Sequence, residues 1–501
     1  MAFFPEKKGY SLKEFHEEYS KRLSKALSQL DSSSLDKVYL QLAKCVKNNS
    51  TIFSCGNGGS SSIAEHLACD FVKGASTDSE AKPKVFPLLS TPILTAIAND
   101  ISYEEVFAFQ IEKYAKENDI LLSVSSSGNS ENVVKAIEKA KSLDVLFVNL
   151  PSYTPEPANS KNETFGENIV PPLGLLYLAN SIKDCSFINS YECADFRTVD
   201  MSGLFDEATG EVLSEKPLAE FINKKLAETV TNKPDIVAVS ITFSSDYAFF
   251  KIAVEEIKKC WKNAVVIVGG IHATNSADYL LETDPIDYVV VGEGEEAFPS
   301  LLEMIATGVE KNLLGVHSLG NVKKTEENQF EKTATVENFN IDYTKYNDLI
   351  DMEAYTKGTE LFSLSKTDIS VRAFNIMSSR GCPYLCTYCS SWTVQGRGSR
   401  WRDFDNVIGE IRWLNKEYGA TKFYLIDDNF IPKAKAVQLF NRLAELDAEI
   451  KDFELIVYNL SINATDYDTI DSMIGAGVNN LTFAIESGSK ATQDKIKKWV
   501  K

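Results

Sequence analysis

Short apolar runs rich in Val and Ile recur along this chain, with helical stretches between them. The clearest are DIVAVSI (235–241), AVVIVGG (264–270) and YVVVGEG (288–294). A strand that is apolar along its whole length is buried on both faces. Helices between successive strands are the crossovers of a parallel sheet, so this pattern demands open α/β layers. The pattern begins earlier, with TIFSC (51–55), KVFPLL (84–89), ILLSVS (120–125) and VLFVNLP (145–151). It resumes later in VRAFNIMSS from 371, KFYLIDD (422–428), ELIVYNLSI (454–462) and NLTFAIES (480–487). At 501 residues the chain exceeds one core and predicts about three such units. No short fixed-period repeat is present.

Composition narrows the function. Lys and Arg number 52 against 71 Asp and Glu, a formal charge of −19. That balance argues against a protein driven onto nucleic acid by its phosphates. With 44% hydrophobic and 25% charged residues, wholesale disorder and fibrous architectures are excluded. No apolar run of about 18 residues predicts a membrane span, so no membrane partner is expected. The N-terminus, MAFFPEKKGYSLKEFHEEYSKRL, lacks the apolar core of a signal peptide, which predicts a cytoplasmic chain. In that compartment the nine cysteines read as free thiols or metal ligands. Cys45, Cys55, Cys69, Cys185, Cys193 and Cys260 are scattered, whereas Cys382, Cys386 and Cys389 fall within eight residues.

Residues 11–47 predict two polar helices, with Leu12, Phe15, Tyr19, Leu23 and Leu27 at helical spacing. Two Gly/Ser turns then follow strands and open helices, CGNGGSSS (55–62) and SSSGNS (125–130). Each exposes backbone N–H groups at a helix N-terminus, where the dipole favours an anion, and the Ser hydroxyls add neutral donors. No Walker lysine is present, so a sugar phosphate suits the turns better than a nucleotide. Either turn alone could be an ordinary strand-to-helix connection. His66 and Asp70 lie four apart on one helix face, a spacing that also produces plain surface contacts.

The stretch 35–143, through CGNGGSSSIAEHLACDF and SVSSSGNSENVVKAIEKA, resembles the sugar isomerase (SIS) domain in the sedoheptulose-7-phosphate (phosphoheptose) isomerase branch. The resemblance implies a doubly wound parallel sheet and phosphosugar binding by Asn57, Gly58, Ser60, Ser125, Ser127 and Ser130. It also implies catalytic or metal-binding roles for His66 and Asp70, with zinc as the metal and Asp standing where the family has Glu. SIS domains assemble into oligomers, so a homo-oligomer is implied. The family continues with a strand and a C-terminal helix carrying a catalytic Gln and His. This chain turns instead, at Leu143–Val145, into a different unit.

A Pro/Asn/Ser-rich loop at 151–170 and an apolar helix at 172–182 open that second unit. Gly269–Gly270 and Gly292–Gly294 end strands and permit close approach at the carboxyl edge of a parallel sheet. They could equally be turn glycines in a scaffold that binds nothing. FVNLPS, PPLGLLYLANSIK, VIVGGIHAT and YVVVGEGEEAF resemble the Rossmann-type cobalamin-binding domain that precedes the barrel in one class of radical S-adenosylmethionine (SAM) enzymes. The resemblance covers 145–310 and implies cobalamin near Gly269 and Gly270. No Asp-x-His-x-x-Gly is present, so cobalamin would bind without a lower axial His; His272 reads as a loop histidine. Residues 311–370 read as a polar connector.

RGCPYLCTYCSSW gives a C-x3-C-x2-C spacing in a loop after a strand. Three thiolates leave one position of a four-iron cluster open. Zinc is the alternative, but a closed zinc site wants four ligands and no fourth Cys or His is near. The motif closely resembles the radical SAM superfamily. The resemblance implies a [4Fe-4S] cluster on Cys382, Cys386 and Cys389, whose free iron chelates SAM. Reduction by a low-potential donor such as flavodoxin or ferredoxin would then release a 5′-deoxyadenosyl radical. Tyr388, Asp427, Asp428, Glu486 and Ser487 match the positions that contact SAM. The superfamily barrel has about six strands, whereas four are legible in 371–501. An open edge and an exposed apolar interior are therefore expected, and a fusion of two incomplete genes or a fragment would look this way.

The expected architecture is thus α/β in three units: an SIS-like domain (1–144), a cobalamin-binding-like domain (145–310) and, after the connector, an incomplete radical SAM barrel (371–501). The leading functional reading is a radical SAM enzyme linked to cobalamin, performing methyl transfer or rearrangement on a carbohydrate-derived small molecule. The alternatives are a phosphosugar isomerase and a non-catalytic phosphosugar-binding protein.

Overall fold

A computed structural model describes residues 11–28, 32–77, 81–116, 119–140, 143–151, 171–185, 187–199, 201, 203–205, 212–326, 329–356 and 372–498. The loop read at 151–170 lies outside the described residues beyond Pro151, as does the connector beyond Thr356. The chain divides into two compact units, Met1–Lys141 and Ser142–Lys501.

The first unit opens with helices Leu12–Ser28 and Ser32–Lys47. The apolar stripe of the first helix (Leu12, Phe15, Tyr19, Leu23, Leu27) is exposed. Three parallel strands follow: β1 (Thr51–Gly56), β2 (Lys84–Pro87) and β3 (Ile120–Val124), in the order β2-β1-β3. β1 is the central strand, which is why its Ile52, Phe53, Ser54 and Cys55 are all buried. Burial pushes the Cys55 thiol up to about 12, so it is an inert core group. Phe53 and Cys55 pack with Leu88, Ile97, Phe107, Ile111 and Val133 from the flanking segments.

The second unit opens with a six-stranded sheet of β4 (Leu143–Asn149), β5 (Ile188–Asp195), β6 (Ile236–Ser240), β7 (Val265–Gly269), β8 (Tyr288–Val290) and β9 (Val316–Ser318). They order as β5-β4-β6-β7-β8-β9, parallel except for β9. Successive side chains feed opposite cores. Val145, Phe147, Ile236, Ala238 and Ile267 enter one, while Leu146, Val148, Val237, Val239, Val266 and Val268 enter the other. This is the two-sided burial that the apolar runs require. β5 was not legible because INSYECAD is half polar, as suits an edge strand.

A separate sheet forms from β10 (Ala373–Ile376), β13 (Lys422–Leu425), β14 (Glu454–Leu460) and β15 (Val478–Phe483), parallel and in that order. Between β10 and β13 lies a two-residue antiparallel ladder, β11 (Ser379–Arg380) with β12 (Arg400–Trp401). Phe374, Phe423 and Leu455, with Ile376, Leu425 and Val457, pack against the helices. The opposite face carries Asn375, Tyr424, Ile456 and Asn480 in one row and Ala373, Lys422 and Glu454 in another. Its Ala373, Tyr424 and Ile456 are buried. No large apolar side chain described on these four strands is exposed. The expected exposed apolar interior is therefore absent among the described residues, because polar residues stand where that face is open. β15 pairs on one side only among the described residues.

The stretch read as a connector is core. Val336, Phe339, Ile341, Tyr346, Leu349, Ile350, Met352 and Tyr355 are buried in the cluster that also holds Phe147 and Phe374. The Tyr355 hydroxyl donates to Asp195 at 2.5 Å, and Asn149 donates to the other Asp195 oxygen at 2.8 Å, closing the ends of β4 and β5. Tyr346 donates at 2.5 Å to Glu410, which also pairs with Arg402 at 2.6 Å. Both charged side chains are 1% exposed. Glu410→Ala would strand a buried guanidinium, so a loss of about 3–5 kcal/mol is expected. Urea unfolding followed by the fluorescence of Trp413, which packs on Tyr346, measures it; a loss below about 1 kcal/mol would show that Arg402 finds other compensation.

Candidate functional site

The cysteine loop begins directly after β11. Gly381 has φ 90°, and a Cβ there would run into the Gly398 carbonyl. Glycine is therefore required where the loop folds back on itself. The Gly381 N–H donates to the Gln395 side chain at 3.1 Å, and the Cys382 N–H donates to the Gly396 carbonyl at 3.3 Å. Cys386 and Cys389 share a single turn, with the Cys389 N–H on the Cys386 carbonyl at 3.3 Å. All three thiols are partly buried, and all nine cysteines are unpaired.

Residues from two strand ends face this loop. After β13, Asp427 is 1% exposed. Its carboxylate accepts from the Ser378 N–H at 3.1 Å, the Ser378 hydroxyl at 2.8 Å and the Ser379 N–H. That carboxylate is spent on holding the chain between β10 and β11. Asp428 keeps one buried carboxylate oxygen without a hydrogen-bond partner, and the Asn429 side-chain oxygen is likewise unpartnered. Burial raises the Cys382 thiol pKa, with Asp428 adding to the rise, while the Tyr384 backbone and the Asn429 side chain pull it down. After β15, Glu486 adopts φ 65° and accepts from the Tyr388 hydroxyl at 2.8 Å. Burial and then this contact raise the Tyr388 pKa. Ser487 accepts from the Ser489 N–H at 3.1 Å.

At the carboxyl edge of the six-stranded sheet lies a cavity of about 190 Å³. Gly269, Gly270, Gly292 and Gly294 line one side; Met377, Arg380, Val394 and Gln395, from around the cysteine loop, line the other. Gly270 has φ 103°, and a Cβ there would strike the Ile241 carbonyl, so the ends of β6 and β7 meet only because it is glycine. The Tyr177 hydroxyl is buried in the lining without a partner, and burial pushes its pKa up to about 12. No histidine lines the cavity. His272, read as a loop histidine, stands in the helix Ile271–Asn275 with Nδ1 2.9 Å from the Ser244 hydroxyl.

In the first unit the hydroxyls of Ser125, Ser127 and Ser130 lie 3.5 Å apart in sequence. The N–H groups of Gly128 and Asn129 point at Ser125 and Ser127, at 3.1 and 3.2 Å. The turn at Asn57–Gly58 is tied to this one by reciprocal hydrogen bonds between Asn57 and Asn132, at 2.8 and 2.9 Å. Tyr103 donates to Asn57 at 3.1 Å. Asn132 and Tyr103 were not singled out from sequence; Asn132 could have been, standing two residues after Ser130. Ser60 opens the helix Gly59–Cys69. His66 Nε2 and Asp70 Oδ1 are 3.9 Å apart, with side chains 77% and 66% exposed. A pair so open to water gains little from its charge.

Comparison with known proteins decides the family. Residues 14–152 match the SIS domain, 166–302 the B12 binding domain and 376–500 the Radical SAM superfamily. The chain thus carries matches to these three domain families, in that order. A phosphoheptose isomerase of Helicobacter pylori is 42% identical over 132 residues, 26% of this chain and 68% of that protein. An uncharacterized methyltransferase of Pyrococcus horikoshii is 28% identical over 333 residues, 66% of this chain and 64% of that protein. The cobalamin-dependent S-adenosylmethionine radical enzyme OxsB, solved with aqua-cobalamin and S-adenosylmethionine, aligns with TM-score 0.51 at 17% identity. That alignment covers 74% of this chain and 47% of OxsB, and it shows a shared fold. The chain thus spans less than two thirds of the methyltransferase and of OxsB.

The residues present fit the groups these families imply. The radical SAM loop offers three thiols beside two unpartnered side-chain oxygens. Among the described residues no three His, Cys, Asp or Glu side chains converge as the ligands of a single ion would. A four-iron cluster instead spreads its thiolates over different irons. The cavity beside the loop is glycine-rich and mostly apolar, with Glu293, Glu295 and Arg380 on one wall. No described helix is long and apolar enough to cross a membrane.

Burial pushes Asp427 up to about 6, against the pull of its donors. Between pH about 4 and about 6 the folded chain holds a proton that the unfolded chain has released. Stability therefore declines as pH rises through that window, by about 3 kcal/mol in all. Asp427→Asn should remove this slope; parallel melting profiles of the two proteins from pH 4 to 7 would contradict it.

Proposed function

We propose that the chain is a radical SAM enzyme that works with cobalamin, with methyl transfer as the reaction class and a carbohydrate-derived molecule as the substrate class. The observation that carries this reading is the shared wall. Met377, Arg380, Val394 and Gln395 line the cavity and flank the cysteine loop, so a ligand in the cavity and a ligand on the loop are neighbours.

Cys382, Cys386 and Cys389 hold a [4Fe-4S] cluster with one iron left open. Bound there, the cluster supplies one electron to the sulfonium of SAM, and cobalamin supplies a methyl carrier. Asp428, with its unpartnered oxygen, accepts from the SAM ammonium; Asp427 instead fixes the strand ends around it. Tyr388, with Glu486 and Ser487, bounds the adenosyl side. Gly269 and Gly270 would let cobalamin approach the backbone at the sheet edge, and the apolar part of the lining would exclude water. The protein offers cobalamin no histidine. A low-potential donor such as flavodoxin or ferredoxin supplies electrons in a reducing cytoplasm, where unpaired cysteines persist.

In the SIS domain, Ser125, Ser127 and Ser130, with Asn57, Gly58 and Ser60, hold the phosphate of a sugar phosphate, and the domain assembles as a homo-oligomer. His66 and Asp70 have no observation in favour of isomerase chemistry or of a zinc site.

Anaerobic reconstitution with iron and sulfide, then SAM and a strong reductant, should yield 5′-deoxyadenosine. Cys386→Ala should lose the cluster absorbance and its iron. Neither cluster nor 5′-deoxyadenosine in the intact chain would overturn the reading. Independently, Ser127→Ala should weaken sedoheptulose 7-phosphate binding about tenfold by calorimetry, the effect of one lost hydrogen bond to a charged group. Unchanged affinity would remove this serine from the phosphate site.

A further inference from the structure

The wall between the cavity and the cysteine loop is built from charge. Glu293 and Glu295 follow β8 in Gly-Glu-Gly-Glu (292–295). Arg380 stands two residues before Cys382, and its guanidinium spans both carboxylates, at 3.2 Å to Glu293 and 2.7 Å to Glu295. Its guanidinium carbon lies 4.6 Å from the centre of the Tyr177 ring and 4.6 Å from that of the Phe339 ring. Arg400, its ladder partner on β12, grips Glu293 through both terminal nitrogens, at 2.7 and 2.9 Å. Gln395 completes the wall, accepting from Gly381 through its side chain and from Arg400 through its carbonyl at 2.5 Å.

A planar guanidinium can meet two carboxylates and two rings in one orientation only. Tyr177, Glu293, Glu295, Arg380 and Gln395 all line the cavity, so whatever fills it packs against groups that fix Arg380. The same arginine and glutamine fix Gly381 and, through Gly396, the first cysteine. A ligand that orders this wall from one side leaves less to be ordered from the other, and such coupling is reciprocal.

Resting on the reading above, we infer that Arg380 is a positioning residue shared by the two sites, and that corrinoid binding in the cavity and cluster assembly in the loop reinforce each other through it. Lysine cannot replace it, because one ammonium cannot hold two carboxylates and two rings in a fixed plane.

The test titrates hydroxocobalamin into the full chain, once free of iron and once after anaerobic reconstitution. The expected result is about tenfold tighter binding with the cluster present. By reciprocity, hydroxocobalamin should slow the loss of iron to a chelator. In Arg380→Lys the ratio of the two affinities should fall to about one. Glu295→Gln, at a more exposed position, should do the same and serves if the arginine variant does not fold. Simple structural damage would lower both affinities and leave their ratio intact. Equal affinities in the unaltered chain, or a ratio that survives in the variants, would overturn the coupling alone. No hydroxocobalamin binding in either state would instead overturn the cobalamin reading, and the coupling with it.

Discussion

Glu293 is 4% exposed and accepts from two guanidinium groups and from the Val336 N–H at 2.5 Å. A carboxylate that deep is tolerated only if every lone pair is met by charge or by N–H. Glu293 itself follows β8, and its donors come from the stretch before residue 340 and from both strands of the β11–β12 ladder. Three pieces of chain remote in sequence are thereby fixed at one point. The carboxyl edge of the six-stranded sheet, the cavity and the cysteine loop take their positions from it.

Much of this was legible in the sequence, and the reason is periodicity. Central strands such as VVIVG are apolar on both faces and announce themselves. The three cysteines announce the loop. What was not legible lacks a period. β5 is half polar because it lies at an edge. The stretch from Val336 to Tyr355 buries its side chains through short irregular turns, so its apolar residues follow neither strand nor helix spacing. Arg380, Arg400, Glu293 and Glu295 looked like ordinary charged residues, since pairing between segments this remote in sequence leaves no local trace. Asp427 and Asp428 were indistinguishable as neighbours; only the structure separates the carboxylate with four contacts from the one with a free oxygen. The inner face of the four-stranded sheet was expected to be apolar, yet the alternation that puts Phe423 and Leu455 outward puts Lys422 and Glu454 inward.

The strand β4 carries a further lesson. The SIS match runs through residue 152, so the sequence of β4 reads as the next strand of the first unit. Its hydrogen bonds go to β5 and β6 instead. VLFV (145–148) is apolar throughout, and such a strand suits the middle of any parallel sheet. What assigns it is the availability of two flanking strands, which is a tertiary property and not a local one.

The short β11–β12 ladder has a consequence in chain entropy. It pins residues 380 and 400 against each other, and the Glu293 clamp holds both ends. The loop between them, which carries all three cysteines, is therefore closed at its base by protein contacts alone. In small metal-folded domains, much of the binding energy is spent on gathering the ligands out of a random chain. Here part of that closure is met by salt bridges and the ladder, so more of the affinity of the thiolates for iron can go into holding the cluster.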